Sequence, residues 1–257
     1  PEGSVDSGEF PITPYTFEPE WENDPTMDSR VREALYLAID RRAISEGPHF
    51  GFSHPTGSIY MRGTFGSRLE QINNITPYNP ERAKALLAEA GYANGFEIQG
   101  HFGQFPGRPG IQEMVDAISS YWKDIGVTVN WVEHDSSDWG QGFRRGKLSW
   151  VQFSLPTMGR TEHNIQRVNG SFHITGNSQH PHPYETNALK HELGRTIDEG
   201  EQKRIMAEIE DRVLAQNEMF PLYGMSLVMG YSDRVLSHPT VAESPHIKNI
   251  ELITLRE

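Results

Sequence analysis

The chain has 257 residues with 23 Lys and Arg against 35 Asp and Glu, a formal net charge of −12, and is 36% hydrophobic and 10% aromatic. This composition is globular and allows one large domain or two modest ones, which excludes disorder for the bulk; with Lys and Arg concentrated nowhere, a nucleic-acid partner is disfavoured. The absence of cysteine excludes disulfides, thiolate metal sites and a cysteine nucleophile, and no apolar stretch approaches the ~20 residues that cross a bilayer.

The chain opens on a Gly/Ser/Glu-rich lead from Pro1 to Glu9, without a basic segment and apolar core of a leader, and reads as a processed or cut start. Proline-punctuated sequence follows to Pro25, with Tyr15-Thr16-Phe17 as a short strand. Asp28 is placed to cap a helix, and Val31, Leu35, Ala38, Ile39 and Arg42 recur at helical spacing until Gly47-Pro48, so a helix is predicted from Ser29 to Glu46. From His49 to Tyr78 no period is sustained, which predicts a long irregular connection, and long ordered loops are often functional.

Asn79 as cap, Pro80 in the first turn, Ala83, Leu86, Leu87 and Ala90 on one face and Gly91 as stop define a second helix. Phe96 to Gln99 alternates as a strand, Gly103 to Pro109 reads as a loop, Ile111 to Ile125 as an amphipathic helix, and Val127 to Val132 as another strand. A short helical piece at Asp138 to Arg145 leads to a strand at Trp150 to Leu155. The order β-α-β-α-β is that of an α/β sheet. Helical signals return at Tyr184 to Asp198 and Glu201 to Met219, then strand-like ones at Pro221 to Tyr231 and Asn249 to Leu255.

Five of the eleven histidines lie between His163 and His191, including His180-Pro181-His182. Imidazoles suit Zn, Ni and Cu, so a metal-dependent enzyme or metal-binding protein using this segment is the second reading. No pair falls at i, i+4 on a firm helix beside a carboxylate, and a rigid solvated loop explains the run more simply. No Gly-x-Ser-x-Gly elbow occurs. Gly103, Gly107 and Gly110 match neither the dinucleotide fingerprint nor the P-loop, and Arg144-Arg145 reads as a solvated helix face.

Asp28-Ser29-Arg30-Val31-Arg32-Glu33-Ala34-Leu35 with Ala38-Ile39-Asp40-Arg41 resembles the D-x-R-V-R-x-A-L-x-x-A-I-D-R signature of family 5 extracellular solute-binding proteins, the oligopeptide, dipeptide and nickel receptors of ABC importers. Tyr78 to Tyr92 is similar to the same family's Y-x-P-E-x-A-x-x-L-L-x-E-A-G-Y segment, and Trp122 to Val127 to its L/W-x-x-I-G-V, in the family's order. The resemblance implies an α/β lobe of the class II periplasmic-binding-protein type, with a mixed sheet flanked by helices. It further implies that only the later part of a longer receptor is present: residues 1–25 as lead and hinge-proximal strand, 26–235 as the second, C-terminal ligand-binding lobe, and 236–257 as a tail returning toward a first lobe. Arg30, Arg32 and Asp40 would then cap and pair helices rather than touch ligand.

The implied function is capture of a small polar solute between two lobes for delivery to ABC-transporter permease subunits, without catalysis or cofactor. The implied location is periplasmic or extracellular, with lipid anchoring a possibility for the longer protein. In the resemblance, peptide receptors hold the ligand's amino group with an Asp in G-W-x-A-D-Y; here neither the alignment on Gly146 nor that on Trp150, which places the position at Phe153, supplies the carboxylate. The dipeptide receptor's carboxylate-binding Arg falls on Phe105, with Arg108 the nearest cation. A free dipeptide would leave charges unpaired in this half, which costs about several kcal/mol per buried ion. A sugar, an opine-like amino-acid conjugate or another polar, peptide-like solute is expected instead, held by Phe105, Arg108, Trp150, Gln152, Met158 and Arg160. Arg suits bidentate anion recognition and Trp suits stacking.

Overall fold

The computed structural model describes residues 24–47, 51–60, 62–103, 111–135, 138, 151–153, 188–189, 192–217, 219–225, 232–237 and 253–256. Asp28 caps helix α1 (Ser29–Leu37), its carboxylate accepting the Arg30 N–H at 2.8 Å. Helix α2 (Arg41–Glu46) follows as a separate element, so the single helix predicted to Glu46 is in fact two. Two neighbouring residues cause the break. Asp40 takes an extended conformation and accepts the N–H groups of Arg42 and Ala43, both at 3.0 Å, which starts a new helix. Arg41, 2% exposed, turns its guanidinium back to the carbonyls of Tyr36 (3.0 Å) and Ile39 (3.1 Å), meeting acceptors that the end of α1 leaves open. It also donates to Thr76 and Pro221 and lies 3.9 Å over the Tyr36 ring.

The segment read as irregular contains strand β1 (Ser53–Pro55) and helix α3 (Leu69–Asn73), both too short to show a period. Helix α4 (Pro80–Glu89) matches its sequence signals closely. Asn79 Oδ1 accepts the Arg82 N–H at 3.0 Å, and Gly91 takes the left-handed conformation that ends the helix. Arg30 donates to the Glu89 carbonyl, and Arg32 to those of Thr26, Met27 and Gln216, so the arginines of the first signature join chain segments as expected.

Strand β2 (Phe96–Gly103) is central. It runs parallel to β3 (Val127–His134) on one side and β4 (Val151–Phe153) on the other, in the order β3-β2-β4. Helix α5 (Ile111–Asp124) links β2 to β3 and buries Ile111, Met114, Val115, Ile118 and Trp122. These pack with Ile98, Phe102 and Val127 from the sheet, with Leu35 of α1 and Ala38 at its end, and with Ala83, Leu86 and Leu87 from α4 in one core. Trp122 Nε1 donates to the Leu35 carbonyl at 2.9 Å and fastens α5 to α1. Antiparallel pairing occurs in two small sheets: β1 with β5 (Tyr223–Met225), and β6 (Val235–Ser237) with β7 (Thr254–Leu255).

A second core forms around helix α6 (Glu199–Ala215), where Ile205, Met206, Ile209 and Val213 meet Tyr60, Leu189 and Leu193. This helix starts before the predicted Glu201 because Asp198 caps it, and stops before Met219, where Asn217 takes a positive φ of 48°. Glu210 on α6 is fully buried and accepts from Ser58 Oγ (2.5 Å), Ile59 N (3.1 Å) and Arg68 Nε and Nη2 (3.1 and 2.9 Å). Arg68 also pairs with Asp211. One carboxylate thereby pins the 58–68 segment to α6. The strand at Tyr15–Phe17 lies outside the described residues, as do the predicted 139–145 helix beyond Asp138 and the histidine-rich stretch 163–187.

Removing one partner from a satisfied buried charge cluster leaves the others uncompensated, so Glu210→Ala is expected to lower unfolding free energy by about 3 kcal/mol or more. Asp40→Ala removes only a cap and should cost about 1 kcal/mol. Urea unfolding of the two variants checks the ranking; equal, small losses would contradict it.

Candidate functional site

The parallel ladder aligns the carboxyl ends of β2 and β3, where Gly103 stands opposite His134, and sets β4 against the other edge of β2, with Gly100 opposite Val151 and Phe102 opposite Phe153. The chain leaves β2 for the neighbour on one side and later returns to the neighbour on the other. In open α/β sheets, ligands enter the crevice outside the carboxyl ends of strands where the strand order reverses. That end of this sheet is therefore the candidate site.

Alternation sorts the strand residues. Ile98 and Phe102 face the core under α5, whereas Gln99 and His101 lie on the opposite face. Beneath the site, Trp131 donates from Nε1 to Ser119 Oγ at 2.7 Å and stacks near Trp122, with ring centroids 6.4 Å apart. Gly100 makes this possible, since a Cβ there would come within 2.6 Å of the Trp131 ring.

On the opposite face, His101 Nδ1 and His134 Nε2 lie 2.8 Å apart, a hydrogen bond across the ends of β2 and β3, and the Gln99 amide lies 3.3 Å from His101 Nε2. His101 is 4% exposed. Burial, with a smaller contribution from His134, pushes its pKa down to about 4, so its ring is neutral at neutral pH. Neither histidine was singled out in the sequence: each stands alone at the end of a strand, and only the ladder's register brings the two rings together.

Of the six nominated ligand contacts, the structure describes the backbone of Gln152 alone, which pairs with His101 in the register of β2 and β4. Phe105 and Arg108 follow β2, Trp150 precedes β4, and Met158 and Arg160 follow it; these five lie outside the described residues. Among the described residues no group of three or more His, Cys, Asp or Glu side chains could hold a metal ion, and no helix is long and apolar enough to cross a membrane.

Since folding lowers the His101 pKa from 6.5 to about 4, the unfolded chain binds more protons between those values. Its contribution to stability is complete above about pH 6.5 and is lost as pH falls toward 4. A histidine titration followed by NMR should give a midpoint near 4 for this ring, and an ordinary midpoint near 6.5 would contradict its buried, neutral state.

Comparison with known proteins agrees with this architecture. The chain is 35% identical over 132 residues to heme-binding protein A of Haemophilus influenzae, covering 50% of this chain and 23% of that protein. It is 31% identical over 125 residues to the dipeptide-binding protein of Escherichia coli, covering 48% and 22%. Among solved structures, NikA of Brucella suis matches with a TM-score of 0.72 at 16% identity over 89% of this chain and 48% of that one. A dipeptide-binding protein from Pseudoalteromonas matches with a TM-score of 0.66 at 21% identity, over 79% and 41%. The fold is thus that of periplasmic binding proteins, and the chain spans about a quarter of the length of these two curated relatives and under half of these two structures. The model for bacterial extracellular solute-binding proteins, family 5 Middle, matches residues 6–164, more than half of the chain, and the chain belongs to that family.

Proposed function

We propose that this chain is the second lobe of a receptor that captures a small polar solute between two lobes and hands it to the permease subunits of an ABC importer. The observation that carries this reading is the reversal of strand order at β2, since Phe105 and Arg108 follow one of the adjacent strands and Met158 and Arg160 the other. Residues 1–25 form the lead and hinge-proximal strand, 26–235 the lobe, and 236–257 a tail that meets the first lobe. The receptor works outside the cytoplasmic membrane by binding alone, without turning its solute over.

The relatives' names include heme, dipeptides and nickel, so family membership leaves the cargo open. The residues of this chain favour a sugar, an amino-acid conjugate or another polar solute over a free dipeptide. No acidic residue occupies either alignment of the ammonium-binding position, and Phe105 stands at the carboxylate-binding one. Arg108 and Arg160 supply bidentate donors for an anionic group, Phe105 and Trp150 stacking surfaces, Gln152 an amide, and Met158 an adaptable apolar contact.

The test is a thermal-shift screen of the intact receptor with free dipeptides, sugars and amino-acid conjugates, followed by calorimetry. A conjugate or sugar is expected to raise Tm, and Arg108→Ala and Trp150→Ala should each weaken its Kd about tenfold, the worth of one lost contact of about 1.4 kcal/mol. Tight binding of free dipeptides would overturn the ligand assignment. The absence of any solute-dependent shift would overturn the receptor reading.

A further inference from the structure

Among the described residues, the interior falls into two cores that share no residue. The larger joins the sheet to α1, α4 and α5. The smaller sets Ile205, Met206, Ile209 and Val213 of α6 against Tyr60, Leu189 and Leu193, with Ile59 and Phe65 packed beside them. Side-chain hydrogen bonds follow the same division. Glu210 accepts from Ser58, Ile59 and Arg68, the Tyr60 hydroxyl donates to the Met206 carbonyl at 3.0 Å, and Gln202 donates to the Thr196 carbonyl at 2.7 Å, all within the smaller group. Arg32 ties the two groups where α6 ends, through the Gln216 carbonyl.

The apolar surface that a segment uncovers sets most of the cost of opening it, so a helix whose buried face belongs to a separate core is released without exposing the rest. We propose that α6 and the 58–68 segment form a cooperative unit that opens on its own, while the sheet, α5 and the carboxyl ends of β2 and β3 stay folded. The borders of this unit suit local opening. Asn217, with a φ of 48°, takes the left-handed conformation just past α6, before Phe220 and Leu222 join the larger core. Gly57 passes so close to Asn74 that a Cβ would lie 2.1 Å from its carbonyl oxygen, and its N–H donates to the Ile72 carbonyl at 3.0 Å, which anchors the chain just before Ser58.

Glu210 makes the unit cooperative. Its carboxylate holds Ser58 and Ile59 at one end of the segment and Arg68 at the other, so the segment cannot lift away without stripping a fully buried charge of its partners. Helix and segment therefore leave together. The outward face of α6 adds little fastening, because Arg204 pairs with Glu192, Glu201 and Glu208 at solvated positions, where ion pairs contribute little.

Native-state hydrogen exchange of the 257-residue chain, in a series of urea concentrations below the unfolding transition, tests this. The Ile59 amide, which donates to Glu210, and the α6 amides of Ile205, Ile209 and Val213 should share one protection factor, roughly tenfold or more below that of the β2, β3 and α5 amides. Ile118→Val, in the larger core, separates local opening from all-or-none unfolding. It should lower protection of the β2, β3 and α5 amides about threefold and leave Ile59 and α6 unchanged, because the unit opens with that core intact. Glu210→Gln should lower protection of Ile59 and α6 about tenfold, the effect of weakening hydrogen bonds to a charged group. Complete unfolding also releases the unit, so the sheet amides fall by no more than the same factor in that variant. Equal protection of the two groups in the unaltered chain, an equal loss in both with Ile118→Val, or unchanged α6 protection with Glu210→Gln would overturn the proposal.

Discussion

Strand β2 has neighbours on both edges, and this constraint sets the position of nearly everything at the candidate site. With β3 and β4 both parallel to it, the strands' carboxyl ends share one end of the sheet, and β2 and β4 end side by side, Phe102 opposite Phe153. Its two faces divide the work. Ile98 and Phe102 are committed to the core beneath α5, while His101 lies on the other face with Gln99. A register slip of one residue would exchange those faces, burying Gln99 against α5 and exposing the apolar set. The site is therefore no more stable than the packing that holds this register, chiefly α5 and the Trp122–Trp131 stack.

Outside the sheet, buried charge does the fastening. Arg41 joins the end of α1, the approach to α4 and the segment before β5 through four carbonyls, and Glu210 ties the 58–68 segment to α6. A buried ion contributes little net stability compared with a well-packed apolar group, but it is costly to leave without partners. Such groups fix which segments meet rather than how tightly the core packs. The physical reading of the first signature is thus scaffold: Arg30, Arg32 and Asp40 cap helices and bind carbonyls, and none of them lies at the carboxyl ends of the parallel strands.

Features with local causes were legible in the sequence. Asn79, Pro80 and Gly91 mark α4 at both ends, and Ile111 to Trp122 repeat at helical spacing, because caps and amphipathic periods act within a few residues. The break between α1 and α2 was hidden because Ala38 and Ile39 continue the apolar run while Asp40 and Arg41 redirect the backbone; Arg41's reach to Thr76 and Pro221 depends on tertiary neighbours. Strands β1 and β5 are three residues each, and Ser53 meets Met225 across most of the chain, so no local pattern reveals their pairing. The histidine pair was invisible for a similar reason: the attention drawn by His180-Pro181-His182 is compositional, whereas His101 and His134 acquire meaning only from register.

The chain spans less than half of the two solved structures compared with it, and in the proposed receptor it supplies one wall of a cleft, the cargo being selected by side chains on that wall together with those facing it. The central claim is that the wall lies at the carboxyl ends of β2, β3 and β4. Hydrogen–deuterium exchange of the intact receptor, with and without saturating solute, tests it most directly. The account predicts solute-dependent protection in the segments 104–110 and 154–160. Protection confined to the exposed faces of α4 and α6, with both segments unchanged, would contradict it.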